Sequence, residues 1–118
     1  KVHADLPGRW AEQEPVMVRV INELAWCAHR GKEALVAGDM EALSTEINRN
    51  FDLRTELFGE DALGENLAMV QLARSLGSCA KQPGSGGAII GIIPDDEFME
   101  RAAPAFSEHG WELVALEM

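Results

Sequence analysis

The sequence has no long apolar run and few basic residues. No hydrophobic stretch approaches the roughly 20 residues that a helix needs to cross a bilayer, and no secretory signal peptide is visible. Lysine and arginine number 10 against 20 acidic residues, which gives a net charge of −10. A surface this acidic repels nucleic acid and anionic lipid, so we expect neither a nucleic-acid nor a membrane partner. Any anion site must be built locally.

Cysteine and histidine are also scarce. The two cysteines, Cys27 and Cys79, are far apart in the sequence, and the three histidines are scattered at His3, His29 and His109. Their spacing matches no zinc motif, and we expect no metal ligand. We therefore expect two buried thiols in a reducing cytoplasm, with a disulfide or a metal site as the alternative.

Four helices are predicted from apolar residues that recur every three or four positions. Pro15 suits an early position of the first helix because its missing N–H is not needed there. Asp39 is a good N-cap for the second helix. The helices are expected at 10–38, 39–59, 62–76 and 95–110.

Three stretches have strand character, at 78–81, 87–94 and 111–118. Isoleucines make the second stretch almost continuously apolar, as expected for a strand covered on both faces. Helices and strands are partly segregated along the chain, which predicts an α+β fold. We expect a single domain, 1–118, with a three-stranded antiparallel sheet and four helices, similar to a ferredoxin-like sheet that lacks one strand.

The segment "PGSGG" at 83–87 joins two of the predicted strands, so it is predicted to form a hairpin. It has neither the Lys-Ser/Thr ending of a Walker loop nor the spacing of a dinucleotide site. Its glycines allow backbone N–H groups to converge on an anion or another backbone to come close. Lys81 adds a positive charge nearby. A tight hairpin without a ligand is the simpler alternative.

A longer segment, "SLGSCAKQPGSGGAIIGIIP" at 75–94, resembles the third signature motif of the GHMP kinases, the superfamily of galactokinase, homoserine kinase and mevalonate kinase. "RW" at 9–10 and "INRNFDLRTELFGEDALG" at 47–64 extend the resemblance to glucuronokinase-like members. The resemblance covers about residues 2–117. The chain departs from the family at Gln82 and Pro83, because the family has a threonine or serine before the first loop glycine.

The resemblance implies the C-terminal, substrate-side domain of an ATP-dependent sugar kinase that forms a sugar 1-phosphate, with glucuronate as the first expected substrate. ATP and Mg²⁺ would serve the whole enzyme. This chain, which starts at Lys1 and contains no second glycine-rich loop, would bind neither by itself and would be inactive without an N-terminal kinase half. The alternatives are a GHMP kinase for another small alcohol and a free-standing ligand- or partner-binding domain. An exposed sheet edge or apolar face would favour self-association.

On the nucleotide side, the resemblance implies a phosphate loop that contains Lys81, Gly84, Ser85, Gly86 and Gly87. No catalytic residue is expected in this chain. The alternative for Lys81 is a solvated lysine at the end of a strand.

On the substrate side, the resemblance implies Asn50 and Arg54, which lie one turn apart on the second helix and so share a face. Arg54 would pair bidentately with a uronate carboxylate. Arg49 is a weaker candidate because it points in another direction. The alternative for Arg54 is an internal ion pair with a nearby acid, namely Asp52, Glu56 or Asp61.

Overall fold

A computed structural model of the chain describes residues 6–83 and 87–116. Helices account for most of these residues, and no helix among them is long and apolar enough to cross a membrane. The elements are α1 (Leu6–Ala11), α2 (Pro15–Ala37), α3 (Met40–Phe58), a 3₁₀ turn (Glu60–Leu63), α4 (Glu65–Ser75) and α5 (Phe98–Ser107).

The boundary between α2 and α3 lies where the sequence predicts it. Gly38 ends α2 in the left-handed conformation, with φ 72°, a region that glycine adopts without a steric penalty. The Asp39 carboxylate then accepts a hydrogen bond from the Ala42 amide at 3.0 Å and caps α3. Pro15 opens α2, also as predicted. These positions confirm that local capping chemistry determines both helix ends.

Two of the predicted helices are interrupted. The first is divided into α1 and α2 by a turn in which Gln13 has a φ of 54°. The third is divided at Gly64, which has a φ of 55° and separates the 3₁₀ turn from α4. The prediction of four helices was therefore wrong, since the described residues form five α-helices and one 3₁₀ turn.

The prediction of an α+β, ferredoxin-like fold with a three-stranded sheet was also wrong. Within 6–83 and 87–116, β pairing is limited to one antiparallel bridge between Lys81 and Ile90. Their backbone amides donate to each other's carbonyls at 3.0 and 2.8 Å. The segment 111–116 has no assigned secondary structure and no strand partner among these residues.

The two bridged segments approach closely without forming a ladder. Gly91 lies so near the Cys79 carbonyl that a Cβ atom on it would overlap that oxygen. The Ser78 hydroxyl, rather than a backbone amide, donates to the Ile92 carbonyl at 3.1 Å. A β-branched apolar run favours extended backbone, but a ribbon of two strands is only marginally stable. The isoleucine pattern therefore predicted a strand where the described residues form only one bridge.

Helix α3 lies between two apolar clusters. On one side, Leu53 and Leu57 pack with Met17 and Val20 of α2. On the other side, Phe51 belongs to a larger cluster that α4, α5 and the segment around Ala80 complete. Because both of its sides are covered, α3 can hold polar side chains at fixed positions between the two clusters.

Candidate functional site

Helix α3 carries three buried polar atoms that have no hydrogen-bond partner within the described part of the chain. They are Glu46 Oε1, Asn50 Oδ1 and Arg54 Nε, on residues spaced one helical turn apart. Buried polar groups in native proteins nearly always have a partner, and leaving one without a partner is unfavourable. Two of the three, Asn50 and Arg54, are the residues that the sequence suggested for substrate binding.

Lys81 follows Ala80, whose amide donates to Asn48 Oδ1 of α3, and its charge interacts with that of Arg54. Its backbone is held by the bridge to Ile90, and its side chain is half-buried. Burial lowers the pKa of Lys81 below its usual 10.5, and the positive charge of Arg54 lowers it further. We call the region formed by Asn50, Arg54 and Lys81 the polar junction. It brings two cationic side chains together, which suits a negatively charged ligand.

A second asparagine attaches the Lys81 segment to α3. Asn48 Oδ1 accepts hydrogen bonds from the Ala80 amide and from Arg74 Nε, both at 3.0 Å. Arg74 Nη2 donates to the Asn48 carbonyl at 3.0 Å, and Arg74 Nη1 pairs with Asp52 at 2.9 Å. This network holds the backbone of Ala80 against α3. It therefore determines the position of the next residue, Lys81. Sequence reasoning missed Asn48 and Arg74.

Asn66, in the first turn of α4, is hydrogen-bonded to Gly87 and Ala88. Its Nδ2 donates to the Ala88 carbonyl at 2.8 Å, and its Oδ1 accepts from the Gly87 amide at 3.0 Å. Sequence reasoning also missed Asn66, although a polar residue among the apolar positions of a helix is a signal that could have found it. Gly84, Ser85 and Gly86 lie outside the described residues, and their part in a phosphate loop stays a prediction.

The predicted ion pairs of Arg54 are not present in the described part of the chain. Asp52 pairs with Arg74, Glu56 pairs with Arg19, and Asp61 makes no described pair with Arg54. Arg54 therefore keeps its charge for a partner that the described residues do not supply.

Arg49 points away from the polar junction, as the sequence suggested. It pairs with Glu23 of α2, and this contact raises the pKa of Arg49 while it lowers that of Glu23. Arg49 is therefore a surface arginine on the same helix as Arg54. Unlike Arg54, it has an acidic partner, Glu23, among the described residues.

Cys27 and Cys79 are both free and buried, as expected. Burial and the neighbouring Glu46 raise the pKa of the Cys27 thiol to about 11, and its Sγ donates to the Glu46 carbonyl at 3.1 Å. Such a thiol is unreactive at neutral pH. Among the residues that the structure describes, no group of three His, Cys, Asp or Glu side chains could hold a metal.

Apolar side chains are exposed at Ile90, Ile93, Val114 and Leu116. Exposed apolar side chains are one of the features on which self-association was expected. Self-association stays a prediction.

Comparison with known proteins shows that the chain is similar to part of certain kinases. Over 96 residues, 80% of its length, it is 40% identical to "Probable glucuronokinase 2" of Arabidopsis thaliana. It is 35% identical over the same length to "Glucuronokinase 1" of the same organism. The resemblance to glucuronokinases is thereby confirmed for this region. The chain spans about a quarter of the length of these curated relatives, because the match covers 26% of each. No family model matches the chain, and no solved structure matches it.

Proposed function

We propose that this chain is the substrate side of a sugar kinase that phosphorylates glucuronate at its anomeric hydroxyl. Both matched relatives are named as glucuronokinases, which supports the reaction class. The observation that carries the proposal is the buried Nε of Arg54, which has no hydrogen-bond partner among the described residues and whose charge interacts with that of the half-buried Lys81. Glucuronate differs from glucose by a carboxylate, and the polar junction presents the charge that a carboxylate needs.

Each residue of the polar junction has a role in this proposal. The Arg54 guanidinium donates to the uronate carboxylate, because arginine matches a carboxylate with two parallel hydrogen bonds. Asn50 Oδ1 accepts a hydrogen bond from a sugar hydroxyl and so satisfies its buried oxygen. Lys81 comes shortly before the glycine-rich residues 83–87 in the sequence. In this proposal its charge stabilises the negative charge of the transferred phosphate. A bound anion would also relieve the repulsion between Arg54 and Lys81.

The phosphoryl donor in this proposal is ATP, with Mg²⁺ supplying neutralisation of the phosphate charge. In this proposal ATP and Mg²⁺ bind to the part of the kinase that the relatives contain and this chain does not span, since the match covers 26% of each relative. The chain by itself is expected to bind but not to phosphorylate the sugar.

The decisive experiment compares two arginines of α3 in a kinase that contains this chain. Arg54→Gln should raise KM for glucuronate by about 100-fold, because removing one partner of a buried charge pair costs about 2–5 kcal/mol. Arg54→Lys should recover part of this loss. Arg49→Gln, the matched control, should leave KM within about twofold because its pair with Glu23 is on the surface.

Steady-state kinetics with glucuronate and glucose would distinguish the outcomes. A loss confined to glucuronate supports a carboxylate contact at Arg54. Equal effects on both sugars, or the same effect from Arg49→Gln, would contradict it. Preferred phosphorylation of a neutral alcohol by the unaltered protein would contradict glucuronate as substrate.

A further inference from the structure

Glu46 is the third residue of α3 with a buried polar atom that has no hydrogen-bond partner in the described part of the chain, and the proposed function gives it no role. Its Oε2 pairs with Arg30 Nε of α2 at 3.1 Å, whereas Oε1 is the atom without a partner. An ionised carboxylate accepts hydrogen bonds on both oxygens, and a buried acceptor without a donor is unfavourable. Oε1 therefore needs a donor that the described residues do not supply.

The Glu46 carboxylate is held in a fixed position near the surface. Arg30 donates to one oxygen, and the Cys27 thiol donates to the backbone carbonyl of Glu46 at 3.1 Å. The side chain is 14% exposed, so a ligand reaches Oε1 once a neighbouring side chain rotates. Because Arg30 offsets the negative charge of Glu46, this carboxylate does not oppose an anion bound at Arg54.

Glu46, Asn50 and Arg54 form a row on α3 whose two ends have opposite chemical character. They recur every four residues and so share one face of the helix. The atoms without partners are an acceptor on Glu46, a second acceptor on Asn50 and a donor on Arg54. The complementary ligand has hydroxyl groups that donate at the Glu46 end and an anionic group that accepts at the Arg54 end.

The length of this row limits the length of the ligand. The side chains of Glu46 and Arg54 lean in the same direction along the helix, and eight residues of helix span about 12 Å. Two hydrogen bonds of about 3 Å each leave about 6 Å for the ligand itself. One sugar ring with its substituents fills that length, whereas a short hydroxy acid such as glycolate cannot contact both ends.

We propose that Glu46 is a specificity-determining residue for the ligand of the polar junction. Its Oε1 accepts a hydrogen bond from a ring hydroxyl at the end of the sugar opposite the carboxylate that Arg54 binds. Glu46 therefore selects a sugar acid over an acid that lacks hydroxyl groups. This inference rests on the proposed function, because Arg54 must hold the carboxylate for the sugar to lie along α3.

The inference is tested by calorimetric titration of the 118-residue chain with two probes. Glucuronate has the carboxylate and the ring hydroxyls, whereas tetrahydropyran-2-carboxylate keeps the ring and the carboxylate without the hydroxyls. Glu46→Ala should weaken glucuronate binding by about tenfold or more, because it removes a charged acceptor. It should leave binding of the hydroxyl-free acid within about twofold. Glu46→Gln keeps the shape and one acceptor oxygen, so its loss should be smaller.

Glu56→Ala is the matched control. Glu56 is also a glutamate of α3 that pairs with an arginine of α2, Arg19, but its side chain is 44% exposed. Its removal should leave the affinity for both probes within about twofold. If Glu46→Ala does not fold, the selective loss is measured in Glu46→Gln. Equal losses for the two probes, or unchanged glucuronate affinity in a folded Glu46 variant, would overturn the inference.

The two proposals fail in different ways. Weaker binding of both probes in Arg54→Gln, with unchanged glucuronate binding in Glu46→Ala, would contradict the role of Glu46 alone. Unchanged binding of both probes in Arg54→Gln would contradict the proposed carboxylate contact, and with it the orientation on which the role of Glu46 depends.

Discussion

The interface between α2 and α3, which we call the seam, differs from the polar junction in how its charged side chains are paired. Along the seam, charged side chains pair with one another across the two helices: Arg19 with Glu56, Arg30 with Glu46 and Arg49 with Glu23. At the polar junction, Arg54 and Lys81 are near each other without an acidic partner among the described residues. Asn50 adds a buried oxygen without a hydrogen-bond partner.

The difference indicates what each region contributes. Exposed ion pairs add little to stability, so the seam is held mainly by Leu53 and Leu57 against α2. Buried polar groups without partners lower stability, and natural proteins keep such groups where function requires them. Asn50 and Arg54, the two residues of the polar junction that lie on α3, therefore lower stability, as the proposed binding role would require.

The largest expected effect concerns the hydrogen bonds of Asn48, which attach Arg74 of α4 and Ala80 to α3. Asn48→Ala should lower the free energy of unfolding by about 2–3 kcal/mol, because it leaves the Ala80 amide and Arg74 Nε without their acceptor. Urea denaturation of the 118-residue chain measures the change. Asn22→Ala on the exposed face of α2 is the control, and an equal effect from both variants would show that the Asn48 network does not support the junction.

A smaller effect of opposite sign is expected at Arg54. Arg54→Met should raise the free energy of unfolding by about 1 kcal/mol, since it removes a buried donor that has no partner among the described residues and keeps the apolar stem. Arg49→Met removes a paired surface charge and should lower the midpoint slightly or not at all. The urea midpoints of the two variants provide the comparison. A clear loss of stability in Arg54→Met would show that Arg54 is a structural residue.

The smallest effect is a difference in pH dependence. The pKa of Lys81 is lowered in the folded chain, so the unfolded chain binds more protons and stability should rise as the pH climbs through the folded pKa toward 10.5. The pKa of Glu23 is lowered below 4.5 by Arg49, so its contribution is present above that value and is lost as the pH falls through the folded pKa.

Urea midpoints measured across pH for Lys81→Met and Glu23→Gln test this difference. Lys81→Met should remove the alkaline rise and Glu23→Gln should reduce the acid loss. An alkaline rise that persists in Lys81→Met would assign it to another group.

Prediction from sequence succeeded where the signal is local. Gly38 and Asp39 determine a helix boundary through their own backbone and side-chain chemistry. Asn50 and Arg54 share a face because they are one turn apart. The strands failed because a ladder needs a partner at the correct distance, and the close approach of Gly91 to Cys79 cannot be read from either residue alone.

Some residues of the candidate site were also suggested by the sequence, whereas others were missed. Asn50, Arg54 and Lys81 were suggested by the resemblance, while Asn48 and Asn66 were missed. The missed asparagines lie on helices and bond to a segment distant in sequence, at Ala80 and at Gly87–Ala88. No periodicity or motif connects such residues, because the contact exists only after the chain has folded.

By itself, the sequence determined the similarity to glucuronokinases, the helical character of most of the chain, and the two thiols that remain unpaired. These properties follow from residue identity, capping and periodicity over a few turns. Only the tertiary structure decided that the isoleucine segment forms a single bridge among the described residues, and that Arg49 has a partner there while Arg54 Nε has none. It also decided that Asn48 and Asn66 bond to Ala80 and to Gly87–Ala88. The physical reason is that hydrogen bonds and charge pairs depend on distances between segments, and those distances are set by how α3 packs between its two apolar clusters.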